Sequence, residues 1–233
     1  MTILRLLLFT FLLSSAHAQI PTSPRSKKAV ADVKPRLESQ LKEKGLLYGS
    51  RLFIRIFKES EELEIWCQND KTFNLFKVYE VCDYGSRGLG PKTEEGDGQA
   101  PEGFYKVYPR SLNPLSSFHL SFNLGYPNDY DRSLGRTGGA LMVHGSCASL
   151  GCFAMTDSCI EEIYALVEAA LRNGQDHVPV HIFPFRMTDE NMTRHRTSVW
   201  LTFWENLQEG YQFFEETNLP PRVYVKQNRY CFK

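Results

Sequence analysis

The chain has 233 residues, with 27 basic and 27 acidic side chains and a formal net charge of zero. That balance argues against nucleic acid as a partner, which would favour a basic face, and six cysteines are too few for a fold held mainly by disulfides. The length suits one well-packed core with room for a small appendage.

Residues 1–18, MTILRLLLFTFLLSSAHA, carry one cation (Arg5), an apolar run from Leu6 to Leu13 and the small-x-small pattern Ala16-His17-Ala18. This is the layout of a cleavable secretory signal. The run is too short to span a membrane, and no later segment approaches the roughly 18 apolar residues a spanning helix needs. The mature chain is therefore expected to be exported, with no transmembrane span and with 26 basic against 27 acidic residues. Residues 19–35, rich in Pro, Ser and Lys, read as a flexible leader. A short helix is expected from Leu37 to Lys44, stopped by Gly45, so that leader and helix occupy 19–47.

Residues 51–58, 62–68 and 72–82 alternate apolar and polar side chains, which predicts an antiparallel meander of three strands. The next stretch, DYGSRGLGPKTEEGDGQAPE (83–102), reads as a long exposed loop of the kind that often carries function. Strand texture resumes at 103–108, 117–125 and 140–145, with a second polar loop over 126–139, so that both loops can border a cleft. Beyond Cys152, Ile160, Ile163, Tyr164, Val167, Ala170 and Leu171 fall at helical spacing; Ser158 and Glu161 are spaced for a capping box and Gly174 supplies the stop. A strand over 178–185, a helix over 197–208 ended by Gly210 and a short strand over 222–227 complete the chain. The fold class is mainly β (α+β): a β domain over 48–185, one helix after Cys152, and a helical C-terminal appendage over 186–233.

Between Val143 and Phe153 the sequence HGSCASLGC brings His144, Cys147 and Cys152 into one glycine-punctuated turn. A nucleophilic cysteine needs a lowered thiol pKa, supplied by an imidazole or a helix N-terminus. His144, ending a strand just before Gly145, is rigidly mounted as a base. Gly151 and the helix beginning near Thr156 bring backbone amides to a developing oxyanion. The same residues admit a Cys147–Cys152 disulfide, or a zinc site that lacks a nearby fourth ligand, and the residues alone leave these alternatives open. A papain-like protease would place its Cys before its His. Of the other cysteines, Cys82 at a strand end suits a pairing with Cys147. His177 and His181 share a strand face and read as structural, and His195 reads as solvated.

The run MVHGSCASLGCFAM resembles the signature of the YkuD-type L,D-transpeptidases, in which a strand-borne His-Gly precedes a Ser-x-Gly-Cys turn. GLGPK, GDG, PEGFY, NLGYPNDYDR and PFRMTDENM extend the resemblance to the YafK-like, murein endopeptidase-like subgroup over about residues 48–224. Leu150 stands where the usual family turn has a second His, and His144 and Cys152 lie closer in sequence than in most members; the YafK-like pattern shares both departures. The resemblance implies an L,D-transpeptidase-like β-sandwich or barrel and a cysteine acyl-transfer enzyme acting on peptidoglycan stem peptides. Cys152 would be the nucleophile and His144 its base, with the oxyanion held at Gly151 and Cys152, and Ser149 and Gly145 shaping the turn. Apart from the resemblance, Lys92, Tyr105, His119 and Arg132 are candidates for contacting substrate, Arg132 together with Asp131 through stem-peptide carboxylates or amines; His119 reads more readily as a structural histidine, and Arg132 and Asp131 equally as a solvated loop. The resemblance implies no metal or organic cofactor, and the murein sacculus as partner in the periplasm. The favoured outcome is hydrolysis of the diaminopimelate–Lys amide that joins murein to an anchored outer-membrane lipoprotein. Forming cross-links or attaching that lipoprotein is one alternative, and a catalytically silent murein-binding module is another.

Overall fold

Alternating side chains in the first half of the chain form the expected meander. A computed structural model describes residues 19–85 and 88–233; the secretory-signal reading falls on residues outside these. After helix α1 (Pro24–Glu43), strands β1 (Leu52–Phe57), β2 (Glu62–Asn69) and β3 (Thr72–Glu80) follow in order. β1 pairs antiparallel with β2 and β2 with β3. Strand β4 (Gly103–Val107) opens a second group with β5 (Leu112–Asn113), β6 (Ser121–Asn123), helix α2 (Asp129–Ser133), β7 (Met142–His144) and β8 (Phe153–Ala154). Helix α3 (Asp157–Arg172), β9 (Val178–Phe183), α4 (Asp189–Arg194), α5 (Leu201–Thr217) and the hairpin β10 (Val223–Lys226) and β11 (Arg229–Phe232) complete the chain. The strands form a five-stranded sheet ordered β3-β2-β1-β9-β4, a four-stranded sheet ordered β5-β6-β7-β8, and the hairpin. Two pairings are parallel, β1 with β9 and β7 with β8. The molecule is thus α+β with sheets dominating.

Two apolar layers flank the five-stranded sheet. On one face Ile54, Ile56, Val180 and Ile182 join Phe122, Val143 and Phe153 of the smaller sheet and the buried sides of α1 and α3 in one core. On the other, Phe57, Phe104 and Phe183 pack under Trp204, Leu207 and Tyr211 of α5 and Tyr230 of the hairpin. Among the described residues no helix is long and apolar enough to cross a membrane.

Several boundaries differ from the sequence expectation, each for a physical reason. The supposed leader is helical from Pro24. Ser23 and Ser26 cap its start reciprocally, and Ala29, Val33, Leu37 and Leu41, four residues apart, form a buried stripe that carries the helix through Pro35 despite the lost hydrogen bond. The α3 cap is Thr156, whose hydroxyl accepts from Cys159 N, and not Ser158. Gly210 does not end α5: the rings of Phe104 and Phe232 close on the space where its side chain would stand, so it is an interior contact. Strand texture over 117–125 yields only β6, because residues 117–120 turn through a left-handed His119.

Candidate active site

The register of the small sheet sets the site. β7 lies between β6 and β8, with His144 paired to Ser121 on one side and Ala154 on the other. Carried one residue past the Val143–Phe153 pair, the same register sets Cys152 opposite Met142. Paired residues, and residues two apart on one strand, share a sheet face, so Ser121, Met142, His144 and Cys152 project to the same side. The Ser121 hydroxyl reaches Met142 Sδ at 3.4 Å, and the Met142 backbone N–H is near enough to the Cys152 sulfur to favour its charged form. The thiol itself points to the Ala140 carbonyl, 3.7 Å away.

His144 is buried and its Nδ1 lies 2.5 Å from the Gly145 carbonyl. A carbonyl only accepts, so Nδ1 carries the proton and Nε2 is left as the basic nitrogen of the neutral ring. Phe118 packs against the imidazole, ring centroids 4.7 Å apart. The backbone behind it is fixed as well. Gly145 N–H donates to the Phe118 and Leu120 carbonyls, and Met155 N–H donates to the His144 carbonyl at 2.7 Å.

The Cys147–Cys152 turn is tied down at separate points. Cys147 is disulfide-bonded to Cys82, with Cα atoms 5.4 Å apart. This pairing overturns both the Cys147–Cys152 disulfide and the zinc trio, since Cys147 is spent and Cys152 is a free thiol. Asp83, next to Cys82, accepts from Ser149 N–H at 2.7 Å and from Gly85 N–H at 2.9 Å. The Ser149 hydroxyl donates to the Cys152 carbonyl at 2.7 Å. Gly151 has φ +110°, and a Cβ there would meet the Gln99 carbonyl oxygen at 2.8 Å, so the backbone at Gly98 and Gln99 lies directly on the turn. Ser146 N–H donates to Asp157 at the start of α3. Leu150, at the tip, is 91% exposed.

Residues 52–182 match the model of the YkuD family, the L,D-transpeptidase catalytic domain. The chain belongs to this family. It is 47% identical over 187 residues to YafK of Escherichia coli (strain K12), a provisionally named L,D-transpeptidase, covering 80% of this chain and 76% of that protein; the O157:H7 strain's YafK matches equally. Among solved structures, the helical cell shape determining protein Pgp2 of Campylobacter jejuni aligns with a TM-score of 0.45 and 17% identity, over 82% of this chain and 80% of that one.

Within this L,D-transpeptidase domain the thiol is not pre-ionised. Burial pushes the Cys152 thiol above its ordinary value, only partly opposed by the Met142 N–H and the Lys92 charge. The expectation of a lowered resting pKa is therefore corrected. Strand β8 separates Cys152 from α3, and Thr156 already takes the Cys159 amide at the helix end.

The predicted substrate contacts scatter. Lys92 is buried, its ammonium 2.7 Å from Asp97 and 2.8 Å from the Glu94 carbonyl, and its charge reaches Cys152. Burial works against the Asp97 charge, yet the Lys92 bond and the backbone amides of Thr93, Gln99 and Glu94 hold that carboxyl down at about 2. Tyr105 is a buried support, its hydroxyl donating to Asp131 at 3.0 Å, and Asp131, also bound by Arg136, is fully buried rather than presented to a ligand. His119 sits beside Gly145 with its Nε2 2.8 Å from Glu161. Arg132 is exposed and paired with Asp129. His181 is buried as expected, whereas His195 is stacked on Phe185 and bound to Glu59 rather than solvated. Sequence reasoning missed Asp83 and Phe118. Asp83 had a usable signal, because a Cys82–Cys147 bridge brings its neighbour beside Ser149; nothing in the sequence pointed to Phe118.

Proposed function

We propose that this chain is an exported, periplasmic cysteine acyl-transfer enzyme that cleaves the amide joining diaminopimelate in a peptidoglycan stem peptide to a Lys of an anchored lipoprotein. The observation that carries the reading is a free thiol on a braced turn, on the same sheet face as an imidazole whose Nδ1 is committed to the Gly145 carbonyl. In the resting enzyme the thiol is neutral and donates to Ala140, so activation is proton transfer at the moment of attack. Cys152 turns from Ala140, His144 Nε2 takes the thiol proton, and sulfur adds to the amide carbonyl carbon.

The Gly151 and Cys152 amides hold the oxyanion, and removing one such donor typically costs about 10²–10³ in kcat. Ser149, by fixing the Cys152 carbonyl, keeps that backbone aimed. Collapse breaks the C–N bond, and the amine leaves with the proton held on His144, giving a thioester. Water then adds to the thioester with His144 again as base, the C–S bond breaks, and the carboxylate departs as the thiol is restored. An amine in place of water would give transpeptidation through the same intermediate. Lys92 supplies a nearby positive charge that favours thiolate character as the proton moves.

The test is incubation of the mature protein, and of Cys152→Ala, with lipoprotein-bearing sacculi, followed by mass spectrometry of soluble products. Release of lipoprotein or of its Lys-containing C-terminal peptide by the intact protein alone is the expected result. New cross-linked stem peptides without release would replace hydrolysis by transpeptidation. Absence of either product would leave a murein-binding module as the better reading.

A further inference from the structure

The sheet face that carries the C-terminal layer is not covered along its whole length. Past α5 and the hairpin lies a groove of about 1150 Å³, to which neither Cys152 nor His144 contributes. Its floor is the paired strands β4 and β9, where Phe104 faces His181 and Lys106 faces Pro179. Arg51, Lys106, Arg110, Arg132 and Arg222 line it, with the half-buried His177. Asp129 is the one acidic residue in that lining, and Arg132 already holds it at 2.8 Å. Arg51, Lys106, Arg110 and Arg222 have no ion-pair partner among the described residues.

Two further observations point to a ligand. His181, 2% exposed, lines the groove, and its Nδ1 has no hydrogen-bond partner among the described residues. His177 is held below its ordinary value by burial first and then by Lys106 and Arg51, against the opposing charge of the exposed Asp176, so cations from β4 and from the residue before β1 both act inside the concavity. Uncompensated cations on a concave surface raise the local concentration of anions, and guanidinium groups match carboxylates in geometry. The groove also touches the smaller sheet: Asn123 and Gly125 are in its lining, and Asn123 pairs with Met142 of β7, the strand that carries His144.

We propose that this groove binds the carboxylate-bearing peptides of the murein sacculus at a site separate from Cys152, the choice of murein resting on the function proposed above. It holds the enzyme on the polymer while the stem-peptide amide to be cleaved lies at the thiol. The contact is ionic, so it weakens as salt rises.

The test uses the full chain as Cys152→Ala, so that binding is read without turnover, in co-sedimentation with purified sacculi. Reversing the groove charges together (Lys106→Glu, Arg110→Glu, Arg222→Glu) should raise the apparent Kd at least about tenfold, the loss of roughly 1.4 kcal/mol, and flatten its salt dependence. A matched reversal of Lys27, Lys42 and Lys71, exposed cations outside the groove, should change it little. Sacculi whose carboxyls are converted to amides should bind the parent protein no better than intact sacculi bind the groove variant. An unchanged melting temperature shows that the variant is folded; if it is not, the milder pair Lys106→Gln and Arg110→Gln is read instead, with at least a threefold loss expected. The proposal is overturned by groove variants that sediment like the parent, by equal losses in both reversal sets, by full binding to amidated sacculi, or by preference for phosphatidylglycerol vesicles over sacculi. Groove-dependent sedimentation alongside a wild-type protein that releases nothing from sacculi would sink the catalytic reading and leave the groove standing.

Discussion

The turn that carries Cys152, with the loop lying on it, and the C-terminal layer are built on opposite principles. The C-terminal layer is held by ring packing: Phe53, Trp66 and Phe214 meet at centroid distances of 4.7–4.9 Å, and Arg55 lies over Trp66 and Phe214. Cys152 rests on the rim of the main core, but packing alone does not aim its turn. Position there comes from one disulfide, the Asp83 carboxylate, the Ser149 hydroxyl and a close backbone approach at Gly151. Loop 83–102 is fastened farther back by Lys58 and Glu102, both fully buried and 3.0 Å apart, with Trp204 of α5 donating to the second carboxylate oxygen. Apolar packing supplies stability, whereas discrete polar and covalent ties supply geometry, so damage to the two regions should be separable.

The largest effect expected is on chemistry alone. Cys152→Ala should reduce murein turnover to background, about a million-fold if this cysteine behaves as nucleophiles of catalytic triads do, with an unchanged melting temperature. His144→Ala should lower kcat/KM by about 10²–10⁴, again without loss of fold, as steady-state assays on soluble muropeptides would show. Damage to the aromatic layer should invert that pattern. Phe214→Ala should cost about 3–5 kcal/mol in urea unfolding, while activity per folded molecule stays at the wild-type level.

Replacing Cys82 and Cys147 together with serine sharpens the comparison, because it removes a tie rather than packing. The bridge spans 65 positions, and its loss should cost about 2–4 kcal/mol, with a fall in kcat beyond what the unfolded fraction explains. The smallest effect is a displacement of pH. Since burial raises the Cys152 thiol above its ordinary 9, the thiolate is scarce below that pH. Iodoacetamide alkylation of resting enzyme should be slow at neutrality and climb with a midpoint above 9; a midpoint near 7 would show a pre-ionised thiol instead.

How much of this was legible in the sequence follows the same division. Alternation wrote β2 and β3, the apolar, β-branched and aromatic run wrote β1, which is buried on both faces, and the apolar periodicity after Cys152 wrote α3. The strand-end position of Cys82 pointed to its bridge with Cys147. What composition concealed was decided by tertiary burial. The Pro- and Ser-rich start of α1 looks like a leader until the stripe from Ala29 to Leu41 finds α3, and Gly210 looks like a stop until Phe104 and Phe232 need its space. The neighbourhood of His144 and Cys152 was readable because the His-Gly and Gly-Cys motifs are local and β7 and β8 pair directly. The substrate candidates were less so: nothing local tells that the Tyr105 hydroxyl turns inward to Asp131 or that His119 adopts a left-handed backbone and pairs with Glu161. Asp83 and Phe118, which act through contacts with residues far along the chain, belong to the same class.

The central claim is a thioester on Cys152, and intact-protein mass spectrometry of enzyme quenched in acid during turnover on sacculus-derived muropeptides tests it most directly. The account predicts an adduct with the mass of the acyl-donor peptide, mapped to the tryptic peptide containing Cys152 and absent from Cys152→Ala. Product formation with no adduct on any cysteine, and with Cys152→Ala equally active, would contradict it.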